Sequence, residues 1–295
     1  MATSNGDVLG VVAMLALVGC AMGDEPPPPP VPSELLISDY RANAIFRYDG
    51  VTGAPAGVFA QGSAQRVDRP ASVRLGPDGQ LYAAGFGRGE VVRYDAHSGA
   101  MMDVFFWDTA ELEEPVELMF RGDELIVLGN DTNNAVVIGP DGVIARSFGY
   151  PHIRGAHDFA VGGDDRMYIA TDRAIQVWDI ASGTQLPALA STGELAMAVG
   201  IALDPDGVIH VADWERGRIT RHAADGTDLG VLIDGLVNPI SLDFGPDGAL
   251  YVMDARGVHR HDARTGDHLA LLVARDDRLL YPRSFTFVSD AALGR

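Results

Sequence analysis

One phrase recurs six times along this 295-residue chain, each copy about 40 to 45 residues after the last, and a period of that length limits the fold more than any other feature. The clearest copies occupy residues 71–84, 200–213 and 240–254. Each joins an alternating apolar segment to a second apolar segment through a Pro-Asp-Gly turn. Such a turn is tight for separate reasons: proline presets φ, aspartate bonds back to the chain, and glycine takes the left-handed position. Gly76-Pro77-Asp78-Gly79, Asp204-Pro205-Asp206-Gly207 and Gly245-Pro246-Asp247-Gly248 are full copies. Arg121-Gly122-Asp123 and Gly162-Gly163-Asp164-Asp165 are degenerate ones.

A third segment follows in each repeat, as in Phe46-Arg-Tyr-Asp49, Val92-Arg-Tyr-Asp95, Val177-Trp-Asp179 and His259-Arg-His-Asp262, and then a glycine turn and a fourth segment. Four short strands per repeat make one propeller blade. The ends of the chain are complementary. Leu35 to Asp39 reads as a second strand with no first strand before it, and Arg283 to Val288 reads as a first strand with nothing after it. Joining them completes a sixth blade and hides two sheet edges. The sequence therefore predicts an all-β, six-bladed β-propeller of four-stranded blades over residues 34–290, closed by a C-terminal strand on the N-terminal blade, with a tail at 291–295.

The repeat resembles NHL-repeat propellers and, more loosely, the gluconolactonase-like and virginiamycin B lyase-like groups. The shared residues are turn and core residues, so the resemblance implies a fold and leaves the activity open. Gluconolactonase-like enzymes hold a divalent metal in the channel with Glu, Asn and Asp, a hard oxygen set suited to calcium. The positions that align with that family's asparagine are Ala71, Val116, His157, Val199, Ile240 and Arg283. Most carry no metal donor, so neither a metal nor another cofactor is expected. His157 and Arg283 stand out as a spot for a carboxylate or phosphate.

Further binding candidates are Trp107, Tyr150, His152 and Trp214, amphipathic residues in loops expected on one face. Asp39, Asp172, Asp213 and Asp254 end second strands, where a carboxylate that accepts backbone N–H groups fixes the next loop. His259 and His261, two apart, share a strand face, but their peripheral strand favours packing over zinc. No Gly-x-Ser-x-Gly elbow, His-Glu-x-x-His pair or phosphate-binding glycine loop occurs, so catalytic residues are not assigned.

Ahead of the repeats, Val8 to Val18 form an apolar run that suits a signal-peptide core, and Leu17-Val18-Gly19-Cys20 resembles the bacterial lipobox. Residues 1–20 read as a lipoprotein signal peptide and 21–33, with its run of prolines, as a semi-rigid linker. The resemblance implies lipidation of Cys20, the single cysteine, and anchorage in a bacterial envelope at the outer membrane. A formal net charge of −19 argues against nucleic acid as a partner. The expected function is an anchored binding module for a protein, peptide or glycan. The alternative is an extracytoplasmic hydrolase or lyase working through the channel.

Overall fold

The structure, a computed structural model, describes residues 32–63, 67–189 and 195–289. The signal peptide with Cys20, nearly all of the proline linker and the tail at 291–295 lie outside the described residues. Six four-stranded antiparallel sheets are arranged as a six-bladed propeller, and the described residues contain no helix. Blades II to VI take their four strands consecutively, from inner strands Pro70–Leu75, Pro115–Arg121, Ala156–Val161, Ala198–Leu203 and Ser241–Phe244 outward. Blade I is shared between the two ends of the described chain. Its inner strand, Pro282–Ser289, pairs with Pro32–Asp39 in a register running from Glu34↔Val288 to Ser38↔Ser284, the closure expected from the sequence.

The turn chemistry explains why the repeat is written as it is. In Pro-Asp-Gly the Asp78 Oδ1 accepts the N–H of Gln80 at 3.1 Å, while its Oδ2 accepts the Tyr82 hydroxyl at 3.0 Å. Asp247 does the same for Ala249 and Tyr251, and Asp164 for Arg166 and Tyr168. One aspartate thus closes the turn and pins the next strand. In blades I, II, IV and VI an aspartate at the end of the third strand closes the outer turn. Asp49 accepts both N–H and hydroxyl of Thr52, and Asp95, Asp179 and Asp262 accept the same pair from Ser98, Ser182 and Thr265. These donors hold the four carboxyls below the usual aspartate range.

The apolar core is a ring of six clusters, one at each blade boundary. Aromatic contacts recur there: Tyr82 meets Phe120 edge-on at 4.9 Å, His210 meets Phe244 at 5.2 Å, and Tyr251 meets Phe287 at 4.6 Å. At the periphery each blade leans on its neighbour with little clearance. Gly53, at φ +68° in the outer turn of blade I, faces the outer strand of blade VI so closely that a Cβ would lie 1.6 Å from the Leu272 carbonyl oxygen. Gly53→Ala is expected to cost about 2 kcal/mol through left-handed strain plus that backbone clash, lowering Tm by roughly 5 °C in thermal denaturation.

Candidate functional site

Strand direction defines two faces. Inner strands start on what we term the loop face and run to the opposite turn face, which carries the Pro-Asp-Gly turns. Five of the six aligned positions, Val116, His157, Val199, Ile240 and Arg283, line the channel mouth on the loop face together with Glu117 and Asp158. Behind this mouth the channel is plugged. Arg74 lies across it, donating to the carbonyls of Val73 and Phe285 at 3.2 and 2.9 Å and to Ser284 Oγ at 3.0 Å. Its Nη2 stands 3.2 Å from Glu117 Oε1, which also accepts the Ser72 hydroxyl and, at 3.2 Å, the Leu118 N–H.

Two more carboxyls face the same interior. Asp158 accepts the N–H groups of Phe159 and Ile201 at 2.7 and 3.0 Å, and Asp243 accepts that of Phe244 at 2.8 Å. Burial pushes all three carboxyls up, Asp158 furthest because Glu117 adds like-charge repulsion. Burial alone would lower the Arg74 guanidinium, but Glu117, Asp243 and Asp158 together raise it. The channel is therefore a satisfied polar plug around one arginine. The free volume at its mouth, about 20 Å³, matches roughly one water.

The sequence candidates are brought together only in part. His157 and Arg283 share the mouth, yet His157 Nε2 turns to Asp172 Oδ1 at 3.0 Å, while the Arg283 guanidinium lies 5.9 Å from the Tyr281 ring. Trp107, Tyr150, His152 and Trp214 all lie on the loop face and are exposed, but they sit on blades II, III to IV, and V, scattered around the rim. Arg88 stands 5.9 Å over Trp107. Their neighbours Phe106 and Phe148 are buried and serve packing.

What the structure does gather is a cleft of about 340 Å³ beside the mouth, lined by Tyr40, Arg41, Phe86, Tyr281 and Arg283. It sits at the loop-face end of the closing seam, where Asp39 pairs with Pro282. Tyr40 N–H donates to the Tyr281 carbonyl at 3.1 Å, and Tyr281 N–H donates to Asp39 Oδ2 at 2.8 Å.

A chain in the crystal structure of a nidogen/laminin complex is similar to this one. Its TM-score is 0.70 at 14% identity, over 86% of this chain and 97% of that chain. The likeness is one of fold. No protein-family model matches the chain, nor does any curated protein. The similarity to NHL-repeat and gluconolactonase-like propellers thus rests on turn and core residues alone.

Three of the four expected loop-fixing aspartates do that work. Asp39 accepts Ala42 and Tyr281; Asp213 accepts Ala196, Met197 and Arg216; Asp254 accepts Val237 and Arg256. Burial would raise Asp254, but His259, Val237 and Arg256 donate to it and hold it far below the usual range. Asp172 is different. Its strand ends one residue earlier, at Thr171, so the carboxylate points outward and meets His157 instead.

His259 links Asp254 at 3.0 Å to His268 at 3.2 Å, so this strand is a hydrogen-bonded polar seam as well as a packing surface. Among the described residues no group of three His, Cys, Asp or Glu side chains is arranged to hold a metal ion.

Proposed function

We propose that this propeller is a binding module that uses its loop face to hold a protein, peptide or glycan, and that it is tethered to a bacterial envelope through a lipid on Cys20. The observation that carries the reading is the contrast between channel and cleft. Buried carboxyls with raised pKa values would suit a catalytic centre, but Arg74 and its partners fill that space, and the mouth leaves free room for about one water. Recognition is left to the loop face, where the open cleft and exposed Trp107, Tyr150 and Trp214 lie.

The turn face has hollows too, about 450 Å³ between blades V and VI and 230 Å³ between blades II and III. Both are walled by the turn and aromatic residues that recur at blade boundaries, so they follow from the repeat itself. The cleft at the seam is specific to one place. A similar propeller in the nidogen/laminin structure belongs to a complex of two proteins, which supports a protein as the partner.

Two experiments test the reading. Charged substitutions at the loop face, such as Tyr281→Glu with Trp214→Glu, should abolish capture of a cross-linked partner while Tm stays within a few degrees. Equal capture by the variant removes the loop face from the account. Membrane partitioning of the native chain should require Cys20, and Cys20→Ala should release the protein into the soluble fraction.

A further inference from the structure

The cleft beside the channel mouth has its own chemistry. Tyr40 and Phe86 meet edge-on at 5.2 Å, and Tyr40 and Tyr281 at 6.2 Å, forming an apolar floor. Three arginines stand on it. The guanidiniums of Arg41 and Arg283 lie 5.4 and 5.9 Å from the Tyr281 ring, and that of Arg69 lies 5.4 Å from Tyr40. Arg69 is committed, donating to the Tyr40 hydroxyl at 2.9 Å and standing 3.8 Å from Asp68. Arg41 and Arg283 are not: among the described residues neither has a carboxylate within ion-pair distance.

That pair is out of keeping with the rest of the molecule. The net charge is −19, the turn face presents Asp78, Asp123, Asp164, Asp206 and Asp247, and the arginines Arg93, Arg121, Arg166 and Arg260 beside it are each paired with an aspartate. Screening at physiological salt limits long-range repulsion to about 8 Å, so an anion arriving at the loop face meets the two nearby guanidiniums before it meets the net charge. Guanidinium forks match a carboxylate in plane and in hydrogen-bond count.

We infer that Arg41 and Arg283 form a carboxylate-recognition site, and that its occupant is an acidic peptide segment of a partner protein, with an apolar side chain next to the acidic one. This rests on the reading of the loop face as the binding face. A saccharide stacks on open ring faces, whereas guanidiniums already stand over Tyr281 and Tyr40. The cleft then offers donor forks for a carboxylate and the Tyr40–Phe86 floor for an apolar neighbour.

The test is fluorescence anisotropy on the full chain with a labelled hexapeptide of alternating glutamate and phenylalanine, its glutamine counterpart, and polygalacturonate as competitor. The acidic peptide should bind at least tenfold tighter than the glutamine one and weaken as salt rises. Arg41→Gln with Arg283→Gln should lose at least tenfold in affinity with Tm unchanged. Arg41→Gln alone, in an exposed turn, serves if the double variant is unstable. Equal binding of both peptides, no binding of either, preference for polygalacturonate, or indifference to the arginines overturns the inference. A partner captured through Tyr281 and Trp214 but indifferent to both arginines would overturn it while leaving the loop-face reading intact.

Discussion

Cutting the chain after Tyr281 is expected to abolish its cooperative thermal transition. The cut removes Pro282–Ser289, the inner strand of blade I, and with it Phe285 and Val288, both buried in the core clusters on either side of that blade. Leu36 and Ile37, fully buried in the intact ring, would then lie on an unpaired edge strand. Arg74 would also lose its bonds to Ser284 and Phe285 in the channel. A milder change, Phe285→Ala, should cost about 3–5 kcal/mol as a large-to-small core substitution. Calorimetry on both variants checks this. A truncated chain that melts sharply near the parent Tm would show that blade I stands without its closing strand.

The second large effect belongs to Arg74. Replacing it with Met leaves Glu117, Asp158 and Asp243 facing one another without their cation, and should cost about 3–5 kcal/mol at pH 7. The pH dependence has a definite sign. Burial raises these carboxyls in the folded state, so their contribution to stability is present below the unfolded carboxylate range and is lost as pH rises through the raised values. Removing Arg74 raises them further. The gap between parent and variant should therefore be widest at neutral pH and narrow as pH falls toward about 4.

Other aspartates respond oppositely. Asp49, Asp95, Asp179 and Asp262 have lowered values and lose their contribution as pH falls, but they do so equally in both proteins and cancel in the difference. Denaturant titrations of the pair at pH 7 and pH 5 give the answer. A gap that is constant with pH would mean that the carboxyls are not coupled to Arg74.

Much of this architecture could be read from the chain because the relevant chemistry is local. A Pro-Asp-Gly turn and the tyrosine it holds lie four residues apart, as Asp78 and Tyr82 do, and the Asp-Ser/Thr cap closes within three. Such pairs repeat, and repetition is visible. Blade closure was legible for the same reason, since Arg283 to Val288 is one more copy of a first strand.

The site was less so. Tyr40 and Arg41 are separated from Tyr281 and Arg283 by nearly the whole chain, and Arg283 alone among them drew notice because it fell at an aligned position. The channel plug was hidden differently. Arg74, Glu117, Asp158 and Asp243 each look like one repeat's deviation from an apolar strand, and only the closed ring puts them in one space. Trp107, Tyr150 and Trp214 mislead in the reverse sense. Their type suggests one anchor cluster, yet a propeller distributes successive loops around a circle.

Blade I also sets which way the molecule looks. Its second strand begins at Pro32 beside the aspartate-bearing turns and ends at Asp39, just before the cleft residues Tyr40 and Arg41, a run of about 25 Å through the thickness of the ring. Whatever precedes Pro32 joins the body from the acidic side. A tether there would point the cleft outward, away from its attachment, and would turn toward an anionic lipid surface the side least able to rest on it. Presentation of the recognition surface would then follow from strand polarity alone.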